Sequence, residues 1–432
     1  MFALKESPSP AIILIQSFSE TVSSGAGHVT TARPLTILCL ASYEKGAEFM
    51  RECKRQGCRV LLLTSESIAQ ADWPRESIDE IFLLPDVNKK WKRDDVIKGV
   101  SYLARTEIID RIVPLDDFDL ETAAALREHL RVPGMGDSTT RYFRDKLAMR
   151  VRASEARILV PDFIHVLNYE SLREFMRRTP PPWLLKPRFE ASATGIKKIN
   201  SSDEFWSAVE LLGDRQSFYL LERYVPGDIF HVDSIVSEKE IVFAAAHQYG
   251  SPPLDVAHEG GVFTTSTVLH GSDDERALLS MNRRVLEGKS FLRGVSHTEF
   301  IKAREDGRFY FLETSARVGG ANIVELIEAA TAINLWAEWA KIEVARGERP
   351  YNLPPLRNDY AGIIVSLARQ KHPDTSGYTD EEIVWRVNKS YHVGLIVRSH
   401  DPARVAQLLE EYTTRFYTDF FAKQPAPERA VS

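Results

Sequence analysis

The chain has 432 residues, 44% of them hydrophobic, which is enough for two to four structural units and a sizeable core. Its net charge of −6 leaves no basic excess to neutralise a phosphate backbone, so no nucleic-acid partner is expected. Cys39, Cys53 and Cys58 form neither a disulfide framework nor a paired zinc site, which fits a reducing, cytoplasmic setting.

The first apolar run, "AIILIQSF" at 11–18, is too short to cross a bilayer. Pro8 and Pro10 before it, and no small-residue cleavage site after it, argue against a signal peptide. A soluble protein with no membrane partner is expected. Residues 1–33 read as an extension or flexible lead-in holding one short strand at 11–17. From 35, strands "LTILCLA", "RVLLLT", "IDEIFLLP" and "DRIVPLDD" alternate with helices "YEKGAEFMRECKRQ", "VIKGVSYLARTE" and "LETAAALREHL". That alternation predicts a parallel sheet covered by helices. After the break "RVPGMGDST", Ser138 or Thr139 is placed to cap a helix, "TRYFRDKLAMRVRASEA". From 160 the pattern turns to strands and hairpins, then a helix at 273–291 and a hairpin from 297. One long amphipathic helix, "NIVELIEAATAINLWAEWAKIEVARG", follows. The Pro-rich "ERPYNLPPLRND" marks a boundary before further strands and a last helix, "PARVAQLLEEYTTRFYTDFF". The fold class is therefore α/β followed by α+β, without internal repeats.

The hairpin "HTEFIKAREDGRFYFLETSARVGG", 297–320, carries the chemistry. Asp306 and Gly307 are a strong turn signal. Pairing about residue 306 puts Glu299 opposite Glu313, with Ile301 and Phe311 on the same face. Like charges so placed are destabilising without a cation, and oxygen ligands at this spacing suit Mg²⁺. The plainer reading is a solvated face with the two side chains splayed apart. Arg317 can hold a phosphate or carboxylate bidentately, or form a surface salt bridge with Glu325 or Glu328. "VGGAN" then opens a helix whose first amides favour anions.

Lys186 lies in the apolar strand of "WLLKPRFEASATGIKKI" and must find an anion if it points inward. The small residues "ASATG" after it suit close approach of phosphate oxygens, or an ordinary hairpin turn. In "LLERYVPGD", Glu222 can accept from an exocyclic amine and Asp228 from ribose hydroxyls, or both acids face solvent. Lys146, beside Arg144 and Asp145, fits a ligand site or a charged helix face.

Taken in order, "DKLAMR", "LKP", the small-residue loop, "LERYVPGD", "HTEF" and "LETSARVGG" resemble the ATP-grasp superfamily, of the carboxylate–amine ligase type, over about 137–350. Residues 35–135 look like the domain preceding it, and "YHVGLIVRSHDPARVAQLL" like the C-terminal lobe of biotin-carboxylase-like members. The resemblance implies an extension at 1–33, an N-terminal parallel α/β domain at 34–136, a two-lobed ATP-grasp domain at 137–350 with a lid at about 160–240, and a small C-terminal α+β lobe and tail at 351–432.

The implied cofactors are ATP and Mg²⁺, with Mn²⁺ as an alternative. Lys146 and Lys186 match phosphate-binding lysines, and Ser192, Ala193, Thr194 and Gly195 the flexible phosphate loop. Glu222, Tyr224 and Val225 match the adenine hinge, Asp228 the ribose acid, and His231 a nucleotide-contacting histidine. Glu299 and Glu313 match metal ligands. Ser315 stands where the family usually has asparagine, and is a weaker ligand. "ETSARVGG" is similar to the corresponding stretch of bacterial L-amino acid ligases. Arg317 thereby inherits the catalytic role of holding substrate carboxylate or acyl phosphate, with Gly319 and Gly320 beside the substrate.

The implied activity joins a small carboxylate to an amine through an acyl phosphate, releasing ADP. A homodimer is the assembly common among such relatives. No general base is assigned; His247, His258 and Glu259 are candidates near the substrate side, with a structural or loop role as the plainer reading of each. The rival readings are a biotin-carboxylase-like enzyme using bicarbonate and a non-catalytic nucleotide-binding regulator. NAD binding at 35–135 is disfavoured, because "LASYEKGAEF" lacks the glycine fingerprint.

Overall fold

The structure, a computed structural model, describes residues 13–17, 33–87, 90–191, 194–251, 261–287 and 291–422. The described residues form three sheets. The first comprises β1 (Ile13–Ser17), β2 (Thr36–Ala41), β3 (Arg59–Ser65), β4 (Glu80–Leu84) and β5 (Arg111–Pro114), in the order β1-β4-β3-β2-β5. β2 to β5 are parallel, as the alternation predicts. Their continuous apolar runs follow from burial on both faces. Helices Arg93–Leu103 and Leu120–Leu130 cover Leu38, Leu40, Leu61 and Leu63 on one face. Helix Ala47–Arg55 covers Ile37, Cys39 and Leu62 on the other. All three cysteines are free and buried. β1 pairs antiparallel with β4, so this part of the lead-in is an edge strand of the sheet.

The second sheet is small and antiparallel: β6 (Phe163–His165), β7 (Trp183–Pro187), β8 (Lys197–Ile199) and β9 (Tyr219–Arg223), in the order β6-β9-β7-β8. Helices Tyr169–Arg178 and Ser202–Leu212 close a separate core over it, around Phe175, Trp183, Phe205 and Leu221.

The third sheet has eight antiparallel strands: β10 (Gly227–Ser237), β11 (Glu240–Tyr249), β12 (Phe263–Thr267), β13 (Gly294–Ala303), β14 (Phe309–Ser315), β15 (Tyr360–Leu367), β16 (Ile383–Arg386) and β17 (His392–Ser399). Their order is β14-β13-β10-β11-β12-β15-β17-β16. β10 falls within the range expected for the lid, yet it belongs to this sheet. The sheet also runs on across the Pro-rich boundary, because β12 pairs with β15. Helices Lys146–Glu155 and Asp273–Glu287 bury Phe230, Val232, Phe300 and Phe311 on one face.

Three helix expectations change. The segment from 138 is a short helix, Asp137–Thr140, and then Lys146–Glu155. Gly136, not Ser138 or Thr139, takes the first N-cap position, and Asp145 caps the second helix by accepting from Leu147 N at 3.0 Å. A carboxylate at that position competes well for the free amides of a helix start. The long helix is two, Ile323–Thr331 and Leu335–Ala345. Ala332 turns left-handed between them at φ 65°, and Asn334 caps the second through Trp336 N and Ala337 N. The helix from 273 runs to Glu287, and 288–290 lie outside the described residues. No helix among the described residues is long and apolar enough to cross a membrane.

Candidate active site

Side chains alternate along a strand, so residues two apart share a face. Glu299 pairs directly with Glu313, as the turn predicts. Beyond them Phe300 pairs with Phe311 and Ile301 with Tyr310, so Leu312 is the extra residue of a bulge and the expected Ile301–Phe311 pairing does not form. The slip buries both phenylalanines together under the helices. Following the glutamate row across the sheet gives Glu313, Glu299, His231, His247 and Thr267. The next row on that face holds Ser315, His297 and Asp233.

The two carboxylates are held differently. Glu313 lies 2.8 Å from Lys146 Nζ, and that ammonium also donates to Glu190 O at 2.6 Å. Glu299 accepts from Tyr249 Oη at 2.9 Å and lies 3.5 Å from His297 Nε2. Behind Glu299, Asp233 bridges two histidines, 2.6 Å from His231 Nδ1 and 2.8 Å from His297 Nδ1. Burial alone would lower His297, but Asp233 outweighs it and raises the imidazole to about 9, leaving it protonated at neutral pH. Burial likewise opposes ionisation of Asp233, yet His297 and His231 hold it well below the carboxylate range. His231 is lowered by burial despite Asp233, and burial pushes His247 down to about 3, so both are neutral.

A second charge cluster joins the small sheet to this site. Lys186 Nζ lies 2.5 Å from Glu222 Oε1, and Arg150 Nε 2.6 Å from Glu222 Oε2. Arg150 also donates to the carbonyl of Leu312, the bulge residue. Glu222 is 1% exposed. Burial pushes its carboxyl up, but Arg150 and Lys186 together hold it below the ordinary range. Burial lowers Lys186 more than Glu222 restores it.

A third carboxylate comes from the loop after β5. Asp117 is buried, accepts from the Ser315 hydroxyl, and pairs with Arg144 at 2.5 Å; Arg317 Nε lies 4.0 Å away. Arg317 Nη1 donates to Val318 O at 2.7 Å.

No family model matches the chain. It is 27% identical to the L-arginine-specific L-amino acid ligase of Bacillus subtilis over 277 residues, 62% of this chain. That alignment spans 65% of the ligase, so the chain covers just under two thirds of this relative's length. It is 25% identical to the D-alanine–D-alanine ligase of Thermotoga sp. (strain RQ2) over 259 residues, covering 55% of this chain and 82% of that ligase. The solved structure of an L-amino acid ligase from Bacillus licheniformis superposes with a TM-score of 0.70 at 15% identity, covering 91% of this chain and 100% of that one. The protein has the ATP-grasp fold.

On this ATP-grasp fold, Lys146, Glu299 and Glu313 converge on one face of the large sheet, with Lys186 near enough to feel the Glu313 charge. Other expected residues are engaged elsewhere. Both Glu222 oxygens bind protein cations rather than facing a base. His231 is fully buried, its second nitrogen 2.9 Å from Thr265 Oγ1, so it presents no edge to a nucleotide. Ser315 gives its hydroxyl to Asp117, because a buried carboxylate is the stronger acceptor within reach. Arg317 forms no salt bridge with Glu325 or Glu328 among the described contacts.

The remaining positions vary. Tyr224 N donates to Pro182 O at 3.1 Å, and Val225 is buried beside Ile229 and Tyr249. Asp228 is exposed, 3.6 Å from Arg304. Thr194 N donates to Ala191 O, and Gly195 uses its freedom at φ +72° to turn. Gly319 packs against the histidine cluster: a Cβ there would meet His297 Nδ1 at 3.0 Å. Gly320 is open. Ser192, Ala193, His258 and Glu259 lie outside the described residues.

Sequence reasoning missed Arg150, Asp117, Asp233, His297 and Tyr249. The alternations "HVD" and "HTE" place His231 with Asp233, and His297 with Glu299, on one face each, and were a readable signal. Nothing local marks Arg150 or Asp117.

Proposed function

We propose that this protein is an ATP-dependent carboxylate–amine ligase acting on an amino acid or other small carboxylate. The observation that carries the reading is the directly opposed pair Glu299 and Glu313, one of them already holding a lysine. Both carboxylates are partly accessible, with side-chain exposures of 18% and 32%, and two such oxygen donors fit a hard divalent cation. Bound there, Mg²⁺ would neutralise phosphate charge.

The chain's own residues do the rest. Lys146, at a helix N-terminus, and Lys186, on the small sheet, bring positive charge to the phosphates from two sides. Arg317 holds the substrate carboxylate. One carboxylate oxygen attacks the γ-phosphorus; the bond to the β,γ-bridging oxygen breaks and ADP leaves. The amine nitrogen then attacks the acyl carbon, the acyl C–O bond breaks, phosphate leaves, and the nitrogen gives up a proton. Closure of the small sheet as a lid excludes water from the acyl phosphate. The amino-acid ligases among the relatives support this substrate class.

The test is nucleotide turnover with Mg²⁺ against a panel of amino acids and small carboxylates, resolving ADP from AMP, with Glu313→Gln in parallel. ADP and phosphate formed only with a carboxylate and an amine, and lost in Glu313→Gln, supports the ligase. AMP refutes it. ADP formed with bicarbonate and free biotin gives the carboxylase reading, and tight ATP binding without turnover the regulatory one.

A further inference from the structure

A cavity of about 410 Å³ lies where the first sheet meets the segments flanking β13 and β14. None of the residues assigned to nucleotide or metal lines it. Four cations do: Arg111, Arg127, Lys239 and Arg293, against one carboxylate, Glu343. Arg127 is buried and spends its donors on backbone carbonyls, Ile112 O at 2.9 and 2.5 Å and Met135 O at 3.2 Å. No ion pair reaches it among the described residues. Glu343 lies 3.6 Å from Arg111 and also accepts from Trp339 Nε1. Arg293 pairs with Glu238, but its Nε is buried without a hydrogen-bond partner among the described residues.

Clamping the loop of "RVPGMG" explains Arg127; Arg111 and Arg293 each have one carboxylate, Glu343 and Glu238, and exposed Lys239 adds a further positive charge at the rim, so the lining stays net positive. An excess of positive charge over carboxylates around a partly desolvated space is costly, and an anion supplies the balance; the buried Arg293 Nε, without a hydrogen-bond partner among the described residues, is a donor left for it. The volume is in the range of small-molecule sites. Leu120, Met135 and Phe291 give it an apolar wall. We infer that this cavity binds a small organic anion, its carboxylate or phosphate head held by Arg111 and Arg293 and its apolar body against that wall. The site is distinct from the proposed nucleotide site but shares a strand end with it: Ala316, in the lining, lies between Ser315 and Arg317.

The test is isothermal titration of the full chain with benzoate and with phenyl phosphate, against sodium chloride at equal ionic strength. Saturable binding of either probe is expected, weakened about tenfold by Arg293→Gln through the lost charged hydrogen bond. Lys239→Glu, at an exposed position, is expected to weaken it as well. No saturable binding above the chloride control overturns the inference. So does saturable binding that both variants leave unchanged, because the probe then sits elsewhere.

Discussion

Replacing Glu222 by glutamine keeps the shape of the buried cluster and removes the negative charge shared by Arg150 and Lys186. Arg150 is 1% exposed and Lys186 7%, so the variant leaves two desolvated cations facing each other. With ion-pair separations of 2.5 and 2.6 Å, each attraction is worth about 6 kcal/mol at an effective dielectric of about 20. Relief of the carboxylate's own desolvation returns several kcal/mol, and the amide oxygen still accepts one bond, so the expected net loss is about 3–5 kcal/mol. The pH dependence carries a sign. Without Glu222, burial and Arg150 both push Lys186 below its unfolded value. The unfolded chain then binds the extra proton, and stability rises as pH climbs through the folded pKa. Urea titration of wild type and Glu222→Gln at pH 7 and pH 10 is the assay. A deficit of several kcal/mol at pH 7 that shrinks by pH 10 is expected, with Lys186→Met in the glutamine background restoring part of it. A deficit below about 1 kcal/mol at pH 7, or a double variant whose losses simply add, would refute the coupling.

Asp117→Asn should cost about 1–3 kcal/mol at pH 7 by weakening the acceptor of Ser315 and Arg144. Burial raises Asp117, but Arg144, Arg317 and Ser315 outweigh it and depress its pKa, so its contribution is present above the unfolded value of about 3.9 and lost on acidification. The gap between wild type and variant in urea should therefore narrow from pH 7 to pH 3; a widening gap contradicts the sign. Thr298 and Thr314 share a buried hydroxyl pair at 2.7 Å. Thr298→Val should cost about 1–3 kcal/mol by orphaning Thr314, whereas the double valine variant should be nearly neutral, a cycle that denaturation measures directly. Gly319→Ala places a methyl 2.9 Å from Ile323 Cγ2 and against His297, and should cost about 1–3 kcal/mol; Gly320→Ala meets nothing within 4 Å and should denature like wild type.

Much of the site was legible because strand geometry is periodic and turns are local. The Asp306–Gly307 turn was enough to set Glu299 opposite Glu313, and the apolar runs of β2 to β5 announced a sheet buried on both faces. The order of lysines and glutamates was visible only through the resemblance of the whole set of motifs to a known family; taken singly, Lys146 and Lys186 each left a plainer reading open. What stayed hidden depends on partners far along the chain. Asp117 claims Ser315 across 198 residues, and Arg150 claims Glu222 across 72. A sequence shows that a buried charge needs a counter-ion, but not which of several wins it. The bulge at Leu312 and the pairing of β12 with β15 were likewise settled by burial. The sequence by itself determined which residues could do chemistry and which strand face they share; only the tertiary structure decided which of those charges are spent on one another and which are left for a ligand, because that choice is made by competition for desolvated partners.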